Sequence, residues 1–169
     1  MTTENGASRQ DAIKKLRELI KDLRVGMLTT VTEEDGTLRS RPMATQEAEF
    51  DGDLWFLTSI DSAKSHEIDK DHRVNVSYAD AGANRFVSVS GTARVFRDEK
   101  KIKSLWSPLY KAWFPKGVSD PSIALLRVQV DDAEYWDGPS STFVQIVGFV
   151  KALATGTQYE GANHEKVAL

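Results

Sequence analysis

Two runs inside the stretch from Thr37 to Ile68 decide how this chain is read: Arg39-Ser40-Arg41-Pro42-Met43, and Trp55-Phe56-Leu57-Thr58-Ser59-Ile60-Asp61-Ser62-Ala63-Lys64-Ser65-His66. In the first, two cations stand two residues apart. On a strand, side chains alternate with period two, so Arg39, Arg41 and Met43 share one face. Pro42 has no N–H to give to a ladder, which predicts a sheet edge or a bulge. In the second run an apolar strand ends in hydroxyls, and Ser62 has the character of an N-cap for a short helix. Lys64 then falls in that helix's first turn, beside backbone N–H groups that have no helical partner. A cation at a helix N-terminus, hydroxyls nearby and two arginines on an adjacent strand make a site for a phosphate. The plainer alternative is a hairpin rim with solvated charges.

Outward from this stretch, the pattern is one of short strands. Arg9 to Leu23 carries Ile13, Leu16, Ile20 and Leu23 at helical spacing and predicts an amphipathic helix that stops near Gly26. Met27–Thr32 and Leu38–Gln46 read as strands joined at Asp35-Gly36, a strong hairpin signal. Further strands are expected at Leu54–Thr58, Arg73–Ala79, Arg85–Phe96 and Ala124–Val130, with another around Glu134–Trp136. Gly91, midway along its strand, marks a bulge or bend. Asp98 can cap a helix running to Trp113, which Pro108 should kink or interrupt. The wide apolar arc of Ser141–Leu153 favours a packed helix over a strand, and a short terminal strand is allowed at Glu165–Leu169. Six or seven short strands with helices between them predict a mainly β fold, an antiparallel barrel with added helices. The expected organisation is a loose tail over 1–8, one domain over 9–155 and a C-terminal tail over 156–169.

Composition narrows the function. The chain has 169 residues, 40% of them hydrophobic and 28% charged, enough for one real core. Its net charge of -3 argues against a general nucleic-acid binder, which needs a basic surface, but leaves room for one small basic pocket. There is no cysteine, hence no disulfide, thiolate nucleophile or sulfur-ligated zinc. No His or carboxylate cluster stands at ligand spacing, so no metal site is expected, and no Ser-His-Asp arrangement can be argued. His66 fits packing or capping better than catalysis. No stretch approaches the apolar length of a membrane span, and a cytoplasmic location is the expectation.

The ordered set Arg-Ser-Arg-Pro-Met, Trp-Phe-Leu-Thr-Ser with Ser-x-Lys-x-His, and Glu-Tyr-Trp-x-Gly-Pro resembles the pyridoxamine 5'-phosphate oxidase-like flavin-binding split barrels, and among them the general stress protein 26 group. The resemblance covers roughly residues 13–153. It implies a six-stranded split barrel that forms a homodimer, with FMN, or FAD as the alternative, at the subunit interface. Arg39, Ser40, Arg41, Pro42 and Met43 would run beside the flavin, with Arg41 toward the phosphate or ribityl chain. Leu57, Thr58, Ser59, Ser62 and Lys64 would supply the phosphate end. Trp136 would approach the ring from the partner chain, and Trp106 is a further candidate for a ring contact. A dianionic phosphate needs fixed cations and donors, and a planar ring needs an apolar floor, which these residue types provide.

The departures are equally specific. The oxidase pairs an Arg with its phosphate lysine, whereas Ala63 precedes Lys64 here. After Trp-x-Gly the oxidase carries an Arg-x-His segment that grips pyridoxal phosphate, whereas this chain has Ser140-Ser141-Thr142-Phe143-Val144. Phe86 stands where the oxidase has a flavin-contacting Gln. The expectation is therefore a flavin-dependent oxidoreductase or redox and stress-response flavoprotein, not a pyridoxamine phosphate oxidase, with no catalytic acid or base assigned. The alternative from a different class is a non-enzymatic protein that stores or senses flavin. A third keeps the barrel but replaces the ligand with a deazaflavin, haem or tetrapyrrole.

Overall fold

The structure, a computed structural model, describes residues 9–46, 50–138, 154–155 and 163–169. The elements in chain order are α1 (Arg9–Ile20), β1 (Val25–Val31), β2 (Leu38–Ala44), β3 (Asp53–Ser59), α2 (Ala63–Lys70), β4 (Arg73–Asp80), β5 (Arg85–Phe96), α3 (Glu99–Leu105), a short 3-10 helix (Pro108–Ala112), β6 (Ile123–Asp137) and β7 (Asn163–Ala168). All strand pairs are antiparallel, in the order β2-β1-β4-β5-β6-β3, with β7 pairing β6 as well. The two end strands, β2 and β3, approach each other without a ladder between them. The sheet is thus a barrel left open along one seam.

The seven strands among the described residues fall within the six or seven that the pattern predicts and are one more than the six that the resemblance implies. The seventh strand, β7, lies in the segment assigned to the C-terminal tail and docks on β6. It fits there because β6 is fifteen residues long. Its first half pairs β3 and its second half pairs β7, while β5 covers the other edge throughout. The separate strands expected at Ala124–Val130 and around Glu134 are one strand for the same reason. The helix expected from Glu99 to Trp113 does break near Pro108, which opens the 3-10 turn because it has no N–H to continue the α-helical ladder. Asp98 caps α3 as its position suggested, accepting from the Lys101 N–H at 3.0 Å. The tail 1–8 and the helix expected over 141–153 lie outside the described residues.

Inward-facing residues of the strands, among them Leu28, Phe56, Val76, Val89, Leu126 and Val128, fill the barrel, and α1 lays Ile13, Leu16, Leu19 and Ile20 against them. A second apolar layer lies outside, where Ile102 of α3 and Phe114, just after the 3-10 helix, cluster with Ile123 and Leu125 of β6, flanked by Trp55, Leu57 and Trp106. Trp55 stands half-buried on the seam strand β3, its ring in contact with the Lys101 ammonium and the Arg127 guanidinium. Two glycines set the geometry. The β5–β6 register slips between Ser90 and Gly91, and a β-carbon at Gly91 would stand 2.0 Å from the Gln129 carbonyl oxygen, so only glycine fits that bulge. A β-carbon at Gly26 would meet the Tyr78 ring at 2.8 Å.

Candidate functional site

β2 pairs β1 in unbroken register from Val25↔Ala44 to Val31↔Leu38 and, among the described residues, has no ladder on its other side. Pro42 is therefore an edge proline, as its missing N–H requires. Register places Arg39 beside Thr30, Arg41 beside Leu28 and Met43 beside Gly26. Thr30 and Leu28 are buried, so all three β2 side chains start from the inner face, as alternation predicts. Their fates differ. Met43 is sealed in the core. Arg41 and Arg39 emerge at the seam, the first half-buried and the second exposed, because α2 rather than a strand closes this end.

Arg41 Nη1 donates to Glu67 Oε2 at 2.7 Å and to Thr30 Oγ1 at 3.0 Å, and Thr30 Oγ1 donates to the same carboxylate oxygen at 2.6 Å. Glu67 is 5% exposed. Burial by itself would raise its pKa. The hydrogen bonds from Arg41 and Thr30, together with the charges of Arg41 and Arg39, outweigh that and hold it below the ordinary carboxylate value. Lys64 lies across from Arg41. Burial first, and then the positive charge of Arg41, hold its ammonium below the ordinary lysine value, with Glu67 pulling the other way. Lys64 makes no ion pair among the described residues, and no described residue bonds Nη2 or Nε of Arg41. Two cations and Arg39 thus face one carboxylate, which leaves a net positive bay at the start of α2.

The hydroxyls form a chain of their own. Ser62 occupies the N-cap position, but its side chain makes no capping bond. Its Oγ lies 2.9 Å from Ser65 Oγ and 3.4 Å from Thr58 Oγ1, and Ser65 Oγ donates to the Ser59 carbonyl at 2.8 Å. Without a side-chain cap, the first-turn N–H groups of Ala63 and Lys64 have no helical acceptor. Thr58 is buried and points inward toward α2. Leu57 and Ser59 alternate to the opposite face, and Leu57 packs into the outer apolar layer.

The structure therefore gathers Arg39, Arg41, Thr58, Ser62 and Lys64 and leaves other expected contacts elsewhere. Ser40 and Pro42 lie on the outer face of β2, with Ser40 Oγ 2.7 Å from Thr29 Oγ1. Trp106 lines a groove of about 750 Å³ that Ala44 at the end of β2 and the following Thr45 and Gln46 also line, and whose aromatic side includes Tyr110 and Trp113. Trp136 sits on β6, three strands beyond β1, and its ring stacks on His164 of β7 at 5.0 Å and 4°. Glu67, the acid that positions Arg41, was missed. Its only signal is its place one helical turn beyond Lys64, which does not distinguish it from a solvated helix charge. Among the described residues no His, Asp or Glu group could hold a metal ion, and no helix is long and apolar enough to cross a membrane.

The family model described as pyridoxamine 5'-phosphate oxidase like matches residues 11–160. Protein bli-3 of Neurospora crassa is 31% identical over 153 residues, 85% of this chain and 71% of that protein. The crystal structure of the general stress FMN/FAD binding protein of Xanthomonas citri is 34% identical, with a TM-score of 0.67 over 78% of this chain and 92% of that one. A general stress protein 26-like structure from a Jannaschia species superposes with a TM-score of 0.72 over 95% of this chain and 99% of that one, at 21% identity, a likeness of fold.

Proposed function

This chain belongs to the pyridoxamine 5'-phosphate oxidase-like family, and from that premise we propose that it binds FMN, or FAD, at the seam of the barrel and works as a flavin-dependent oxidoreductase in redox or stress metabolism. The observation that carries this reading is the convergence of Arg41 and Lys64 beside the first turn of α2, the first cation half-used and the second without an ion-pair partner among the described residues. The donor set fits a phosphate dianion. Burial first, and the positive charge of Arg41 second, depress the Lys64 pKa, and a bound anion would offset both. Lys64, the free edge of the Arg41 guanidinium and the N–H groups of Ala63 and Lys64 would hold the phosphate, with Arg39 at the mouth. Glu67 keeps Arg41 in place from behind.

Trp106 in the groove beside the end of β2, and Met43, which backs that strand from inside, would offer the apolar surface that a flavin ring needs. When bound, the flavin supplies hydride or electron transfer, and the protein supplies position and electrostatics. A second copy of the chain completes the cleft in this reading. Val25, Met27 and Leu38 expose apolar surface on the outer face of β1 and β2, and the partner subunit's Trp136 would close over the ring. A pyridoxamine phosphate oxidase activity is not part of the proposal, because the segment after Trp136-Asp137-Gly138 carries no Arg or His for a second phosphate.

The test is an absorption spectrum after incubation with FMN and removal of free ligand, followed by turnover with NAD(P)H and a general acceptor. A retained flavin spectrum with steady NAD(P)H oxidation is expected. A colourless protein would overturn the reading. A yellow protein without turnover would favour the second reading, flavin storage or sensing, which the absent substrate-phosphate grip also supports.

A further inference from the structure

Charge is spread unevenly along this chain. Residues 92–117 carry seven lysines and arginines against two carboxylates, whereas the other residues carry fifteen against twenty-three. From Lys100 to Gly117 every charge is a lysine. This stretch holds α3 and the 3-10 helix, and it exposes two large apolar side chains, Leu109 at 76% and Trp113 at 68%. Both line the groove beside the end of β2. Trp113 ends an aromatic ladder, 6.3 Å from Tyr110, which lies 5.9 Å from Trp106. Gln46 Nε2 donates to the Tyr110 hydroxyl at 2.7 Å, and Phe114 is buried against Ile102, so the two tips stand on a supported surface. Lys100, Lys103, Lys111 and Lys116 are exposed and make no ion pair among the described residues. Lys101 lies over the Trp55 ring, and Arg97 donates to the carbonyls of Asp120, Pro121 and Ile123, so those two cations are engaged within the fold. The charged residues that line the groove itself are Lys21, which pairs with Glu18 at 2.7 Å, Asp22 and Arg24.

A solvated basic face accounts for the lysines but not for the apolar tips among them. An apolar protein contact accounts for the tips but not for lysine as the sole charge around them. A surface that is anionic outside and apolar beneath accounts for both. Lysine is a compact point charge on a flexible stem, which suits a diffuse field of headgroups better than the bidentate grip that arginine gives a carboxylate or a nucleic-acid phosphate. Tryptophan and tyrosine favour the boundary between water and hydrocarbon, because each has an apolar body and a polar handle. Electrostatic attraction to anionic lipid and burial of apolar side chains at that boundary then add. We infer that α3 and the 3-10 helix form a docking face for an anionic lipid bilayer. Leu109 and Trp113 enter the headgroup layer, and Lys100, Lys103, Lys111 and Lys116 lie over the charged headgroups. The chain rests on the membrane by this face and does not cross it with any described helix, none of which is long and apolar enough. The contact uses no residue of the basic bay.

Co-sedimentation of the full chain with vesicles of phosphatidylcholine, alone or with about one-third phosphatidylserine, tests this. Wild type should bind the anionic vesicles, stay in solution with the neutral ones, and be released as salt rises. The triple variant Lys100→Glu, Lys103→Glu, Lys111→Glu should weaken partitioning roughly a hundredfold. The double variant Leu109→Ser, Trp113→Ser, which changes no charge, should weaken it about tenfold. Lipids brominated in the acyl chain should quench the tryptophan fluorescence of wild type and much less that of Trp113→Phe, a signal that purely electrostatic adsorption does not give. Lys64→Ala should bind vesicles as wild type does while losing FMN, so failure of the flavin reading and failure of this one are separable. Equal binding to neutral and anionic vesicles, or binding to neither, would overturn the inference. So would capture of a single-stranded RNA oligonucleotide or an acidic peptide without vesicle binding, or an oligomer that dissociates in the double variant while vesicle binding is unchanged.

Discussion

Glu67 is the residue on which the basic bay turns. It is a buried carboxylate whose two donors, Arg41 and Thr30, come from different strands, so it fixes α2 against the β1–β2 edge while aiming the guanidinium. Because its folded pKa lies below the ordinary 4.5, its stabilisation is complete above that pH and is lost as pH falls through the folded value. Glu67→Gln removes the charge but keeps an acceptor, and should cost about 2 kcal/mol at neutral pH. Urea denaturation from pH 7 down to pH 3 checks this: wild type should converge on the variant below pH 4.5, whereas a constant gap would show that Glu67 matters through packing alone. At this scale the sequence was partly legible. Arg41 and Lys64 could be singled out because charge at a strand edge and in a first helical turn has few structural uses. The acceptor behind them could not, because nothing local distinguishes a glutamate aimed inward from one aimed at water.

Among the elements, β5 and β6 show most clearly how local rules build the barrel. Alternation of Val87, Val89 and Ala93 gave the buried face of β5, and an isolated glycine gave its bulge. Replacing Gly91 by Ala drives a methyl group into the Gln129 carbonyl, and the bulge must shift to accept it. We expect a loss of about 2–3 kcal/mol, read as a drop in urea midpoint with little change in slope; an unchanged midpoint would mean that the bulge relaxes freely. The limits of local reading are equally physical. β6 was divided in two because Asp131-Asp132 interrupts its apolar run, but those residues sit where its edge partner changes from β3 to β7, and their exposure costs the ladder nothing. The strand β7 was hard to assign because six residues that pair only one neighbour need little apolar content.

For the whole molecule, the open seam is the organising fact. A closed barrel would have no edge for Arg39 and Arg41 to emerge from. The exposed Val25, Met27 and Leu38 on the outer face make a second copy the proposed cover, and Met27, flanked by Pro42 and Ser77, lies within that patch. Sedimentation should give about twice the chain mass of 18.8 kDa for wild type, and a single chain mass for Met27→Asp, with weakened flavin retention. A wild-type monomer that holds flavin would remove the partner from the site. The central claim, that the seam beside α2 holds an anion, is tested most directly by comparing the dissociation constants of FMN and riboflavin, which differ by the phosphate, in wild type and Lys64→Ala. FMN should bind wild type roughly a hundredfold more tightly than riboflavin, and Lys64→Ala should lose most of that ratio while riboflavin affinity stays within about threefold. Equal affinities of FMN and riboflavin for the wild-type protein would contradict the account.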